Sequence, residues 1–246
     1  PAGFASDFHC TTTPQWLVVL QGRKVYEFHR DGNPAALRPV HSVVKSALAL
    51  LVGTALQRGQ LTSLDEPVLA LMPEWTALNG NPRAHAITLR HLLAMTAGFE
   101  VDDPTGTAPA LAPTVAWARP IGTTAGERFA YDNSIPPLVA AILEKVTGQP
   151  IGTLAQDHLF APLGMRAPAL ATGRLSMRTD DMAKLGSIIL SAGQWGGQPL
   201  LPTGFTAQLV RPHSAGGAPI GLPYGLLWWA PSPNTYFASG YGGQLV

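Results

Sequence analysis

The longest unbroken apolar pattern runs from Ser42 to Gln57, "SVVKSALALLVGTALQ", where hydrophobic or small residues occupy every helical face. Such a segment predicts a central buried helix rather than a surface one, and Gly59 stands where a left-handed C′ residue would end it. Before it, Trp16 to Phe28 gives two β-rich runs around Gln21-Gly22-Arg23-Lys24, the punctuation of an antiparallel hairpin. After it come three helix starts. Thr88 caps "LRHLLAM", which stops near Gly98. Ser134, followed by Pro136 and Pro137 in a first turn, opens "LVAAILEKVTG" up to Gly148. Thr179, with Asp180 and Asp181 placed to complement the helix dipole, leads into "MAKLGSIILSAG". Strand patterns return only in "YGLLWWA" and "TYFASGYGGQLV". Strands first, helices in the middle and strands last predict an α+β fold: an antiparallel sheet assembled from both chain ends and flanked by helices, plus a mostly helical lobe. The expected division is 1–41 with 172–246 for the sheet lobe and 42–171 for the helical one. Between Glu100 and Phe129 no period is sustained, and loops of this length in compact domains often carry function.

Composition narrows the function classes. With 246 residues and 46% hydrophobic side chains the chain can bury a large core. Sixteen basic against fifteen acidic side chains leave a charge of +1, and no basic run offers the footprint of a nucleic-acid binder. Cys10 is the single cysteine, so no internal disulfide is available, and no Cys/His cluster has zinc-ligand spacing; no metal or cofactor is expected. The apolar stretch around Leu48 to Leu56 is far short of the ~18 residues of a membrane span. A chain that starts at Pro1 without a signal peptide is expected to be a trimmed one.

The one feature out of place in the greasy helix is Lys45, the only charge between Arg38 and Arg58. A Ser and a Lys at i and i+3 share a helix face, so Lys45 would stand one turn below Ser42. At a helix start, unpaired N–H groups and the dipole favour a developing oxyanion. An apolar shell disfavours the ammonium, which lets a lysine act as a base near neutral pH. The pair thus predicts a serine nucleophile with a lysine base. The plain alternative is a capping serine followed by a lysine that snorkels to solvent. The chain has only four lysines, and Ser42 is the only serine followed by one three places on.

Two further segments join this pair. "GERFAYDNSIPPL" places Tyr131 and Asn133 at the end of the long loop, where a junction can project side chains into a cleft. A phenol beside a lysine ammonium has its anionic form favoured, so Tyr131 could exchange protons with Ser42 or a leaving group, and Asn133 could orient Lys45 or a substrate carbonyl. Alone, Tyr-x-Asn is equally a turn. In "ASGYGGQ", Ala238 to Gln244, glycines within a strand-like run mark a bulge or a close backbone approach, which could bring a second oxyanion N–H; a plain glycine hairpin fits as well.

Ser42-Val43-Val44-Lys45, Tyr131-Asp132-Asn133 and Gly240-Tyr241-Gly242-Gly243-Gln244, in this order, resemble the class C β-lactamase-like serine hydrolases, and within them the 6-aminohexanoate-dimer hydrolases and related esterases. "LTSLDEPVLALMPEW", "ITLRHLLAMTAGFE", "LFAPLGM" and "SMRTDDMAKLGSIILSAGQWGGQPLLP" extend the resemblance over nearly the whole chain. It implies a β-lactamase/transpeptidase-like fold, Ser42 as nucleophile, Lys45 as base and Tyr131 as acid/base, with an oxyanion hole from the N–H groups of Ser42 and Tyr241. Asn133, Ser239 and Gly240 complete the implied substrate-binding set. Where relatives carry a basic residue that anchors a substrate carboxylate, this chain has Ala238-Ser239-Gly240. The expected substrate is accordingly a small ester or linear amide rather than a β-lactam. A β-lactamase or D-Ala-D-Ala peptidase, and a weakly catalytic sensor of the same fold, are the alternatives. Relatives continue with further strands and a closing helix, so the resemblance also implies a sheet unfinished at Val246, in a truncated or cleaved product or one completed by another chain. It implies a bacterial protein without a membrane span, cytoplasmic or exported.

Other candidates are weaker. His41 adjoins Ser42, but neighbours on a helix do not face one another, so a structural role is expected. His85 and His91 flank a capped helix as surface or supporting groups. Trp228 and Trp229 are expected in the core, with one able to turn toward the cleft by strand alternation.

Overall fold

The structure is a computed structural model that describes residues 15–103, 105–166, 168–171 and 174–246; Cys10 lies outside them. The chain opens with the hairpin β1 (Gln15–Leu20) and β2 (Arg23–His29), then a short β3 (Arg38–Pro39) leads into the helix α1 (Val43–Gln57). The helical segment continues through α2 (Val68–Leu71), α3 (Leu89–Leu93), α4 (Pro113–Trp117), α5 (Ile135–Thr147) and α6 (Ile151–Ala155). Strands β4 (Ala169–Ala171) and β5 (Arg174–Met177) precede α7 (Thr179–Leu190), a small hairpin of β6 (Gln194–Trp195) and β7 (Gln198–Pro199), and α8 (Phe205–Val210). Strands β8 (Ser214–Gly217), β9 (Leu222–Tyr224), β10 (Trp229–Ser232) and β11 (Thr235–Phe237) follow.

Helix α1 forms the spine of the core because every residue from Val43 to Ala55 is buried. Leu48, Leu50 and Leu51 are each fully enclosed, worth about 2 kcal/mol apiece in removed apolar surface. Its buried hydroxyls are satisfied: Ser46 donates to the Leu227 carbonyl at 2.7 Å and Thr54 to that of Leu51 at 2.8 Å. The helix ends as expected, with Gly59 at φ +70°. Midway, Gly53 lets α8 come close, since a Cβ there would lie 2.4 Å from the Phe205 ring. Phe205 is itself buried and cannot swing away. We expect Gly53→Ala to destabilise the fold by about 1–3 kcal/mol through overpacking, despite its gain of ~1 kcal/mol in helix propensity. A urea midpoint that rises in the variant would contradict this.

The strands are antiparallel, as expected, but they fall into four small sheets rather than one. β3 pairs with β5, joining segments from either side of the helical region, and β8 to β11 form a meander. Among the described residues the hairpin β1–β2 pairs with no third strand; it leans on the start of α7, where Lys24 reaches Asp180 at 3.4 Å and the Thr179 hydroxyl is hydrogen-bonded to the Gln15 side chain. Val18, Leu20, Val25, Tyr26 and Phe28 are exposed on it. The run "YGLLWWA", expected as one strand, is split between β9 and β10. Gly225 donates to the Trp228 carbonyl and Leu227 takes φ +58°, so four apolar residues form a buried corner. There Leu227 donates to the Leu93 carbonyl and accepts from Ser46, tying the meander to α3 and α1.

Thr88 and His91 form a capping box on α3, and Gly148 ends α5 in the left-handed region. Thr179 is the first residue of α7 rather than its cap, which falls on Arg178. Among the described residues no helix is long and apolar enough to cross a membrane.

Candidate active site

Ser42 stands at a corner. The N–H of Val40 donates to the Leu175 carbonyl, anchoring the chain to β5, and His41 then takes φ +48°, a conformation unusual for a residue with a Cβ. From that turn α1 begins with Ser42 at its N-cap, yet the serine side chain makes no cap hydrogen bond. It faces Lys45 instead, 3.0 Å from Nζ. Lys45 does not snorkel. It is only 4% exposed, and burial lowers its pKa to about 7, a shift opposed in part by the negative charge of Asp132. An amine in that range is substantially neutral at physiological pH and can accept a proton from a hydroxyl.

Asn133 fixes the other side of Lys45. Its Oδ1 accepts from Nζ at 2.8 Å, while its Nδ2 donates to the carbonyls of Gly106 and Ala108, each at 2.8 Å. Those carbonyls belong to a loop shaped by Asp103, whose carboxylate accepts from the N–H groups of Thr105, Thr107 and Ala108. Hydrogen bonds from the Thr105 and Thr107 hydroxyls, aided by the backbone N–H groups of Thr105 and Ala108, hold the Asp103 carboxyl well below the usual range. The loop touches the third partner too: a Cβ on Gly106 would lie 2.8 Å from the Tyr131 ring.

Tyr131 is buried, stacked on Trp229 with 6.0 Å between centroids and 14° between planes, and Lys45 Nζ stands 4.7 Å from its ring centre. Trp229 is therefore a core residue that backs the site. The expectation that the phenol would be acidified does not hold. Burial pushes the Tyr131 hydroxyl upward, and its hydrogen bond with Ser42 only partly offsets this. With the phenol desolvated and Lys45 only partly charged near neutral pH, Tyr131 stays protonated.

Sequence reasoning had no account of Asp132. Its side chain points away from Lys45's hydrogen bonds, accepting from the Ser134 N–H at 2.7 Å and pairing with Arg119. Arg119 lies across the Phe99 ring and donates to the Ala116 carbonyl. Nothing in sequence spacing links residues 119 and 132. The Asp103 loop did carry a signal, since Asp-x-Thr-x-Thr is a pattern for side-chain-to-backbone turns.

The glycine-rich segment lies beside the corner. A Cβ on Gly240 would sit 2.6 Å from the Val40 carbonyl oxygen, Gln244 Nε2 reaches the Pro39 carbonyl, and the Tyr241 ring meets His41 edge-on at 6.4 Å. The segment folds back on itself: Ala238 and Val246 exchange backbone hydrogen bonds and Ser239 pairs with Leu245. The Tyr241 side chain is 84% exposed. Among the described residues no hydrogen bond joins Ser239, Gly240 or Tyr241 to Ser42. His91 completes the capping box of α3 by accepting from the Thr88 N–H, and His85 lies at the surface.

A family model described as Beta-lactamase matches residues 15–246. The chain belongs to the Beta-lactamase family. No curated protein matches it by sequence. Among solved structures, one described as a "putative beta-lactamase" from Bacteroides dorei DSM 17855 superposes with a TM-score of 0.78 at 22% identity, over 93% of this chain and 79% of that one. A "putative 6-aminohexanoate-dimer hydrolase" from Bacillus anthracis gives a TM-score of 0.71 at 20% identity, over 93% of this chain and 68% of that one. An octameric penicillin-binding protein homologue from Pyrococcus abyssi gives 0.70 at 18%, over 94% and 62%. These likenesses establish the β-lactamase/transpeptidase-like fold, and members of this Beta-lactamase family are hydrolases.

Proposed function

We propose that this Beta-lactamase family member hydrolyses a small ester or linear amide through an acyl-enzyme on Ser42. The observation that carries this reading is Lys45: a buried amine with a pKa near 7, 3.0 Å from the Ser42 hydroxyl at the start of a helix. In acylation, neutral Lys45 takes the Ser42 proton as Oγ bonds to the substrate carbonyl carbon. The tetrahedral oxyanion is received by the Ser42 N–H at the helix start and the Tyr241 N–H. Collapse breaks the bond to the leaving group, which takes a proton from the Tyr131 hydroxyl, and the Lys45 ammonium returns one to Tyr131. Water then repeats the cycle on the acyl-enzyme. Asn133 holds Lys45 in position. Ala238-Ser239-Gly240 stands where the resemblance implies a basic residue that anchors a substrate carboxylate, and the absence of that basic side chain favours uncharged or linear substrates.

Incubation with p-nitrophenyl acetate and with a fluorophosphonate, followed by intact mass and peptide mapping, tests the reading. One adduct on Ser42 is expected, together with release of p-nitrophenol, and neither in Ser42→Ala. Wild-type protein that stays unlabelled above pH 7 would sink the proposal, while labelling without turnover would mark a sensor of the same fold.

A further inference from the structure

Asp132 is a buried carboxylate to which the proposed chemistry gives no part. In the chain it stands between the two residues that hold the base: the Tyr131 ring lies 4.7 Å from Lys45 Nζ, and Asn133 accepts from Nζ. Its own oxygens face elsewhere, one accepting from the Ser134 N–H and the other paired with Arg119. Arg119 is fixed in that position from several directions. Its Nε donates to the Ala116 carbonyl at 2.9 Å, its guanidinium lies 5.0 Å from the Phe99 ring centre, and its carbonyl accepts from the buried Asn79 amide at 2.9 Å. Only 14% of the Arg119 side chain and 6% of the Asp132 side chain are exposed.

A buried ion pair is a weak source of stability, because stripping water from both charges offsets their attraction, and apolar residues of the same volume would often hold the segment as well. What this pair lies beside gives it a use. Lys45 Nζ hydrogen-bonds to uncharged groups, Ser42 at 3.0 Å and Asn133 at 2.8 Å. Tyr131 and, behind it, Tyr224 are titratable groups of the same wall, and burial pushes both phenols upward, so neither carries charge near neutral pH. Asp132 is the charge that acts on Lys45. In a dry shell a carboxylate left alone would strongly favour the ammonium, and a lysine kept protonated cannot accept from Ser42. A guanidinium is suited to prevent this, because it stays charged across the whole working range and offsets the carboxylate without titrating itself.

We infer that Arg119 acts through Asp132 as a positioning residue for the proton of Lys45: by balancing the buried carboxylate it lets the amine stand neutral and take the Ser42 proton. The ion pair thereby becomes part of the hydrolytic machinery without touching the serine or a substrate. The inference deepens the proposed hydrolase reading and rests on it for the role of Lys45 as base; the charge coupling itself is measurable without turnover.

The test is NMR titration of the full chain labelled with [13Cε]lysine. Its four lysines give few enough signals for Lys45 to be assigned by its loss in Lys45→Met. In parallel, the pH limb of Ser42 acylation is followed with p-nitrophenyl acetate. Arg119→Gln should raise the midpoint of both curves by about one pH unit. Asp132→Asn, which keeps the shape and the acceptor for the Ser134 N–H, should lower both. Arg119→Lys retains the charge and should stay near wild type, and Arg119→Gln combined with Asp132→Asn should show no rise. A purely structural ion pair would change the urea midpoint and the height of the limb without moving its position, or would move every variant the same way. Either pattern, or an unmoved Lys45 midpoint in Asp132→Asn, overturns the inference. If Arg119→Gln does not fold, Asp132→Asn set against Arg119→Lys decides the matter. Opposite shifts of the Lys45 titration in a protein whose Ser42 takes no adduct would sink the hydrolase and leave the charge coupling standing, while a Ser42 adduct with unmoved titrations would do the reverse.

Discussion

Lys45→Ala lowers the rate of Ser42 acylation by at least about 100-fold, since no other amine or imidazole contacts the serine hydroxyl among the described residues. The wild-type rate should carry a matching pH signature. Only the unprotonated amine can take the serine proton, so acylation rises with pH through a limb centred near 7. Stopped-flow release of p-nitrophenol measures both, and a Lys45→Ala variant within a few-fold of wild type would remove the lysine from the role of base. The same burial has a thermodynamic counterpart. The folded-state value lies well below the ordinary lysine value of 10.5, so between about 7 and 10.5 the unfolded chain binds more protons than the folded one. Stability therefore increases with pH across that window, by something on the order of 4 kcal/mol, and below it both states are protonated and the dependence vanishes. Lys45→Met should flatten this rise and unfold at higher urea than wild type below pH 7.

Tyr131→Phe is expected to lower cleavage of a linear amide at least about 100-fold while costing far less with a p-nitrophenyl ester. The contrast follows from the role of the phenol. Burial keeps Tyr131 protonated, so its contribution is to protonate a leaving group, and an amine cannot depart without that proton whereas p-nitrophenolate can. Phenylalanine preserves the stack on Trp229 and the packing against Gly106, so the fold should lose only about 1 kcal/mol from the missing hydrogen bond. Comparing kcat/KM for the two substrate types in the same variant separates the chemistry from any structural effect. Equal losses on both would show that Tyr131 serves the serine rather than the leaving group.

Much of this was legible because the responsible signals are local. An all-apolar run with a lone lysine states both a buried helix and an abnormal base, and the i, i+3 spacing sets Ser42 and Lys45 face to face without tertiary information. Gly59, Thr88 and Gly148 mark helix ends through backbone geometry that few other residues tolerate. Legibility failed where partners meet only through the fold. Arg119 and Asp132 find each other across a loop, and the left-handed turn at His41 is imposed by β5 on one side and α1 on the other. The aromatic ladder behind Tyr131 was half visible, since Trp229 reads as core from its hydrophobicity but its stacking depends on the buried corner at Leu227. The direction of the Tyr131 shift was misjudged for a related reason: proximity to a lysine suggests an acidic phenol only while that lysine is charged, and the shell that neutralises Lys45 also desolvates Tyr131.

Asn133 grips Lys45 with its oxygen and the 103–108 loop with its nitrogen, and an amide has no spare atoms with which to do one without the other. The position of Lys45 Nζ is consequently tied to the backbone of Gly106 and Ala108, whose carbonyls hold the amide that accepts from it. A shift of Gly106 or Ala108 is therefore transmitted to Nζ through one side chain, although neither residue touches the lysine by a hydrogen bond of its own.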